Sequence, residues 1–341
     1  MATVRNPQRP MVFRLLSFCQ CALLAACSAL ASTPTRVPLS ERVTNGERFM
    51  GIRLLGTLRL PTEFDGVTVG GISGLAWDND ESLLYAISDS SELHHFQPLF
   101  EDGLLSDIRH LGSFALQDAQ SRPLRPPWAD SEGLTLVNAD NGISGDSELL
   151  VSFEIRMRVR RYTNTGKRLG GIELPRALRN PERYININIA LEAITTHPRW
   201  EILVAPERTL RGDPGGLLTL FSTTGRSWTY PLADAPKSSL VAMQTLGDGS
   251  VLFLERAFTS VMQPLIISLR RAELPESSTA PLSVQDIAVL DSSKGWLLDN
   301  FEGLAHHGNG RFFMVSDDNQ HFLQNTLLVF FELTSPDSIR P

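Results

Sequence analysis

The chain runs short of cysteine. Its three, Cys19, Cys21 and Cys27, all fall within the first 27 of 341 residues. Everything after Cys27 is cysteine-free, so the folded part has neither a disulfide nor a thiolate metal site. A chain of this length buries enough core to do without such staples. Also missing is an apolar run of the ~20 residues that a bilayer-spanning helix needs. Positive charge is in deficit: 31 Lys and Arg stand against 38 Asp and Glu, a net charge of −7. That balance makes nucleic acid a poor candidate as a partner, and none is expected, because neutralising phosphates takes a basic surface. There is no Gly-x-Ser-x-Gly elbow, no Walker loop and no His-Glu-x-x-His, so a serine-triad esterase of the elbow type and a zincin are not supported. No long amphipathic run with helical period is present either.

The first 26 residues contain Arg5, Arg9 and Arg14 but no acid, and residues 15–26 form an apolar run of twelve. That pattern is a signal segment, too short to span. It ends in Leu24-Ala25-Ala26-Cys27, a lipobox-like motif that predicts acylation of Cys27; ordinary cleavage after Ala29-Leu30-Ala31 is the alternative. The chain is therefore expected to be exported to the cell envelope, touching the membrane through a lipid anchor only, or else to be soluble in the periplasm or secreted. Residues 27–47 are polar and contain proline, which reads as a linker, and residues 48–335 as one domain.

What the domain has is repetition. A small residue followed by apolar ones recurs at 74, 133, 193, 242 and 303, in steps of 59, 60, 49 and 61. Each copy leads to a strand-like run: LLYAIS, ELLVSF, EILVAP, SVLFLE and RFFMVS. Units with room for four short strands each predict an all-β fold, a single β-propeller of four-stranded antiparallel blades. Five blades close the ring if the two chain ends share the last one. A sixth, degenerate blade and a two-sheet sandwich are the alternatives.

Equivalent positions in different blades converge on the axis of a propeller. The recurring acids are thus expected in two layers: Glu132, Glu192 and Glu302 in one, and Asp89, Glu154, Glu207, Glu255 and Asp317 or Asp318 in the other. Carboxylates so crowded need compensation. Arg156, Arg208 and Arg256 follow three of these acids and could lock the blades together as a charge ring. In the other reading, a hard cation such as Ca²⁺ is held by Glu132, Glu192, Glu302 and Asp318, with oxygens from Asn188, Asn300 or Asn319, and arginines bind an anionic ester. The histidines show no metal-binding spacing and read as surface or loop residues.

Several stretches together resemble a known family. They are Leu298-Asp299-Asn300-Phe301-Glu302-Gly303-Leu304-Ala305, Met314-Val315-Ser316-Asp317-Asp318-Asn319 and Gln324 to Phe330. With them go Asp130-Ser131-Glu132-Gly133-Leu134, Ser152-Phe153-Glu154-Ile155-Arg156, Asn188-Ile189-Ala190-Leu191-Glu192-Ala193 and Leu254-Glu255-Arg256. This set is similar to the phytase-like propellers labelled "esterase-like activity of phytase", over roughly residues 68–333. Ala190, where the family has Gly, and Ile155-Arg156-Met157 depart from its pattern. The resemblance implies a metal-assisted hydrolase of phosphate or carboxylic esters with a small anionic substrate and Ca²⁺ as the cofactor. Glu132, Glu192, Glu302 and Asp317 are the expected catalytic or metal-binding residues, and Arg156, Arg208, Arg256 and Asn188 the substrate contacts. A lactonase-like propeller and a non-catalytic envelope scaffold are the alternatives.

Overall fold

The computed structural model describes residues 33–334, apart from 187, 188, 261, 278, 320 and 322. The signal segment, Cys27 and Asn188 lie outside the described residues. Among those described, strands dominate and there is no α-helix.

Five sheets form five blades. The first four are consecutive four-strand meanders: Ile72–Asp78 to Leu104–Ala115, Ser131–Val137 to Arg168–Ile172, Leu191–His197 to Ser227–Pro231, and Ser238–Thr245 to Val284–Asp291. The fifth combines Asn300–Gly308, Arg311–Asp317 and Leu327–Leu333 from the C-terminal end with Ile52–Arg59 from the N-terminal end. That last pair runs antiparallel from Leu327↔Arg59 to Leu333↔Ile52, which closes the ring. Five blades, not six, account for the repeats, and no sandwich is formed.

The expected linker differs from its reading. Thr35 and Arg36 pair with Arg59 and Leu58 at the edge of blade 5, Leu39 is buried, and Val37 and Val43 lie against the same cluster. Three apolar residues in a polar, proline-containing stretch are enough to dock residues 33–47 on the propeller.

Core packing follows from burial of both faces of every blade. Five apolar clusters fill the five gaps between neighbouring blades. Phe312 joins the gap between blades 4 and 5, and the next residue, Phe313, joins the gap between blades 5 and 1. Because side chains alternate along a strand and neither side meets water, the strands read as unbroken apolar runs.

The recurring small residue sets the width of the ring. A Cβ on Gly133 would stand 2.2 Å from the Glu192 carbonyl oxygen of the next inner strand, and one on Gly74 would stand 2.5 Å from that of Glu132. Both obstacles are backbone, so neither can swing away. Gly133→Ala is therefore expected to cost ~1–3 kcal/mol or more, as overpacking does. Gly170→Ala, where a Cβ meets nothing within 4 Å, should stay within ~0.5 kcal/mol as a surface change. Urea unfolding midpoints of the two variants check this; equal losses would mean that the inner strands can part.

Candidate functional site: an acidic cup on the propeller axis

Each inner strand slips against its neighbour near its start. Ile72 pairs with Ser88 and Gly74 with Ile87, which leaves Ser73 unpaired. The same slip skips Glu192, Val241 and Glu302, and in blade 2 it spans Glu132 and Gly133. A bulge re-aims the side chain of its extra residue. The first expected layer is therefore built by five bulges at equivalent positions, and Ser73, Glu192, Val241 and Glu302 all line the axis.

The register also corrects the second layer. Ser88, Phe153, Pro206, Glu255 and Ser316 pair with the residues just before the bulges. The residues after them are Asp89, Glu154, Glu207, Arg256 and Asp317. In blade 4 the axial residue is thus Arg256, and Glu255 faces the other way, since a shift of one residue reverses the face of a strand. Glu255 is fully buried. It accepts from Arg270 Nη1 at 3.1 Å, from the Ala233 amide at 2.6 Å and from Ser238 Oγ at 3.1 Å, as a structural ion pair inside the blade. Blade 4 contributes Val241 and Arg256 where most other blades contribute acids.

Arg256 organises one wall. Its Nη1 donates to Asn300 Oδ1 at 2.5 Å and to Glu302 Oε1, and its Nη2 lies 3.9 Å from Glu207 Oε1. Asn300 Nδ2 also donates to Glu302 Oε1, at 2.8 Å. Arg208 Nε lies 3.8 Å from Glu207 Oε1. The opposite wall has no such partner. Asp130, Glu132 and Glu154 bring one oxygen each within 4.8 Å of one another, and among the described residues no arginine forms an ion pair with any of them. Amides hold the two outer ones: Ile155 N donates to Asp130 Oδ2 at 3.1 Å and Ala190 N to Glu154 Oε1 at 2.9 Å. Between the walls, the Gly71 amide donates to Asp318 Oδ1 at 3.0 Å and the Asn319 amide to Asp317 Oδ1 at 2.7 Å. Asp89 Oδ1 is buried without a hydrogen bond.

Electrostatics follow from this crowding. Burial first, and then the charges of Glu154, Glu302, Asp130 and Asp89, push Glu132 well above the usual carboxyl range. Burial and Glu132, Glu154, Glu207 and Glu302 do the same to Glu192. Glu154 is raised to about 7, mainly by burial and against its hydrogen bonds with Glu192 and Ala190. Asp317 is raised to about 8 by burial, then by Glu302, Asp89 and Asp318. Burial would lower Arg256, but Glu302, Glu207 and Glu192 outweigh it and raise that guanidinium.

Along the axis the inner strands leave a void of only about 10 Å³, lined by Glu192 and Glu302 as well as by Leu75, Leu134, Ile194, Met243 and Leu304. A cavity of about 960 Å³ lies beyond it at the other end of the inner strands, among Trp77, His197, His306, His307, Asp140 and several amides.

The structure thus brings together Glu132, Glu192, Glu302, Asp317, Asp318, Asn300 and Arg256, with Arg208 beside them. Arg156 is exposed and stacks on Trp128, 4.2 Å from the ring centre. Asp130 was not singled out from the sequence, although it stands two residues before Glu132 in a motif already noted. The histidines differ from their reading as well. His94 is buried in blade 1 with Nδ1 2.7 Å from Ser113 Oγ, and His95 Nε2 lies 2.7 Å from the Asn164 carbonyl; alternation sends the two to opposite faces of the blade, and a neighbouring blade covers each face.

These carboxyls keep their protons in the folded protein at pH values where the unfolded chain has released them. Between the ordinary values of 4.5 for Glu154 and 3.8 for Asp317 and their folded values of about 7 and about 8, the native state binds more protons. Stability is then fully present below pH ~4 and is lost as pH rises towards ~8. In chelator, the melting temperature should fall by roughly 5 °C or more from pH 5 to 8.5, given a loss on the order of 3 kcal/mol. A melting temperature that rises over that interval would contradict the crowded, partly protonated cup.

The sequence model of the family "Phytase-like: Esterase-like activity of phytase" matches residues 67–320. No curated protein matches in sequence. Among solved structures, the PQQ-bound aldose sugar dehydrogenase of Streptomyces coelicolor is 10% identical with a TM-score of 0.39, covering 88% of this chain and 98% of that one. The Cps50 (Swd1) β-propeller domain of Myceliophteria thermophila is 10% identical with a TM-score of 0.37, covering 88% and 98%. The Dos1 propeller is 8% identical with a TM-score of 0.34, covering 83% and 75%.

Proposed function

The chain belongs to the phytase-like family of esterase-like activity, and from that membership and the axial cup we propose that it hydrolyses phosphate or carboxylic esters with the help of a hard cation. One observation carries the reading. Asp130, Glu132 and Glu154 gather their oxygens within 4.8 Å with no arginine within ion-pair distance among the described residues, while the opposite wall has Arg256 paired with Glu302. A cation site and an anion site thus face each other across one cup.

The donors fit Ca²⁺: all are oxygens, and neither a thiolate nor an imidazole is among them. Asp130, Glu132 and Glu154 would hold it, and bound there it would polarise an ester oxygen. The rest of the chemistry is assigned to the chain's own groups. Arg256, oriented by Asn300 and Glu302, presents its guanidinium to the anionic part of the substrate, with Arg208 beside it. Asp317, raised to about 8, exchanges a proton near neutral pH, as a general acid or base must. Glu192 retains its proton and donates to Glu154.

Purified protein should turn over p-nitrophenyl phosphate, phytate or p-nitrophenyl esters in Ca²⁺, and lose that activity in EDTA. Glu132→Gln should lower kcat/KM by about 100-fold, the scale of losing a metal-site group. Activity indifferent to both changes would remove the mechanism, and turnover confined to lactones would move the assignment to a lactonase-like enzyme.

The same proposal places the enzyme in the cell envelope, anchored through Cys27. Radiolabelled fatty acid should enter the wild-type chain and not Cys27→Ser; equal labelling would refute the anchor.

A further inference from the structure

The third strand of blade 2, Arg158–Thr163, carries arginines on both faces, and the two faces are treated differently. Arg161 points to one side and is neutralised there by Glu148, with Nε donating at 2.8 Å. Arg158, Arg160 and Tyr162 share the other side by alternation. That side lines a cleft of about 820 Å³ together with Arg122, Arg125, Arg168 and Trp128. Asp118 is the only acid in the lining, and it already pairs with Arg122 at 2.7 Å. Among the described residues, Arg125, Arg158, Arg160 and Arg168 have no carboxylate within ion-pair distance. Arg158 is buried and satisfied only by carbonyls, those of Ile155 and Trp128 among them.

These are not loose surface charges. Arg160 and Arg168 are half-buried. A Cβ on Gly171 would stand 2.4 Å from Arg160 Nη1, so the guanidinium lies flat on that glycine in the facing strand. Burial and Arg168 destabilise the charge of Arg160, and burial, Arg160 and Arg168 act on Arg158 against Tyr162 and Asp130. Asp130 offsets Arg158 in part, but Arg125, Arg160 and Arg168 have no ion-paired carboxylate among the described residues to balance their mutual repulsion. Guanidinium forks match phosphate oxygens, and the half-exposed Trp128, with Arg156 stacked on its ring, borders them.

We propose that this cleft is a binding site for a soluble, multiply charged phosphate compound, separate from the axial cup. Several phosphates on one small molecule would engage Arg125, Arg160 and Arg168 together, since all three line the same cleft. The concave shape suits a free molecule rather than a flat lipid surface. The site does not depend on the catalytic reading, because it uses no cation and none of the axial acids.

Calorimetric titration of the full protein with inositol hexakisphosphate and with pyrophosphate, in EDTA, tests this. Binding should persist in Glu132→Gln, weaken as NaCl is added, and fall at least tenfold in Arg160→Ala and in Arg168→Glu. Arg125→Ala, at an exposed position, serves where either of those variants melts early, and should weaken binding by a smaller factor. Absence of binding in EDTA, or binding unaffected by these substitutions, overturns the proposal. So does attachment to phosphatidylglycerol vesicles without binding of the soluble phosphates. Loss of catalysis in Glu132→Gln with phosphate binding intact would separate the two sites.

Discussion

Everything on the axis depends on how near five strands can come to one another. The inner strand of each blade begins with a bulge that ends in a small residue: glycine at 74, 133 and 303, where even a Cβ would collide with the neighbouring strand or with Val315, and alanine at 193 and 242. Close approach and bulging together turn the skipped residues inward at short range. The acids are crowded because the ring is narrow, and the ring is narrow because those positions are small. Glu302 is relieved by Arg256, and Glu132 is not relieved by any arginine among the described residues. That asymmetry is the basis for assigning one wall to a cation and the other to an anion.

The blade count, the closing of the ring and the first acidic layer were legible in the sequence. Regular spacing of small residues carries that information, and burial of both blade faces writes each strand as an apolar run. The second layer was legible only to within one residue. Glu255 and Arg256 are adjacent, and an apolar run does not say where a bulge has shifted its phase; pairing of Leu240 with Glu255 settles it. Asp130 was hidden for a related reason. It precedes its strand, and its place is set by the Ile155 amide in the turn after Glu148–Phe153, a contact that local patterning does not encode. Residues 33–47 misled through composition: prolines and polar residues outnumber Val37, Leu39 and Val43, yet those three decide where the segment lies.

The arginines show a similar division of labour. Glu148 takes up Arg161 on one face of a strand while Arg158 and Arg160 on the other are left to a cleft. Net charge conceals this, since an acidic total is compatible with a strongly basic recess. The buried pair of Glu255 and Arg270 and the axial pair of Glu302 and Arg256 likewise look alike as contacts. They differ in that the first is sealed within a blade and the second faces a mouth open to solvent.

Blade 5 is stitched from both ends of the chain, with Ile52–Arg59 alongside Leu327–Leu333. A ribosome delivers the first of these strands hundreds of residues before the second. Until the final strand arrives, blade 5 lacks the edge that draws the circle shut, and Glu302 and Asp317 have no fixed place opposite Glu132. The acid pocket is therefore complete only once Leu327–Leu333 has paired with Ile52–Arg59.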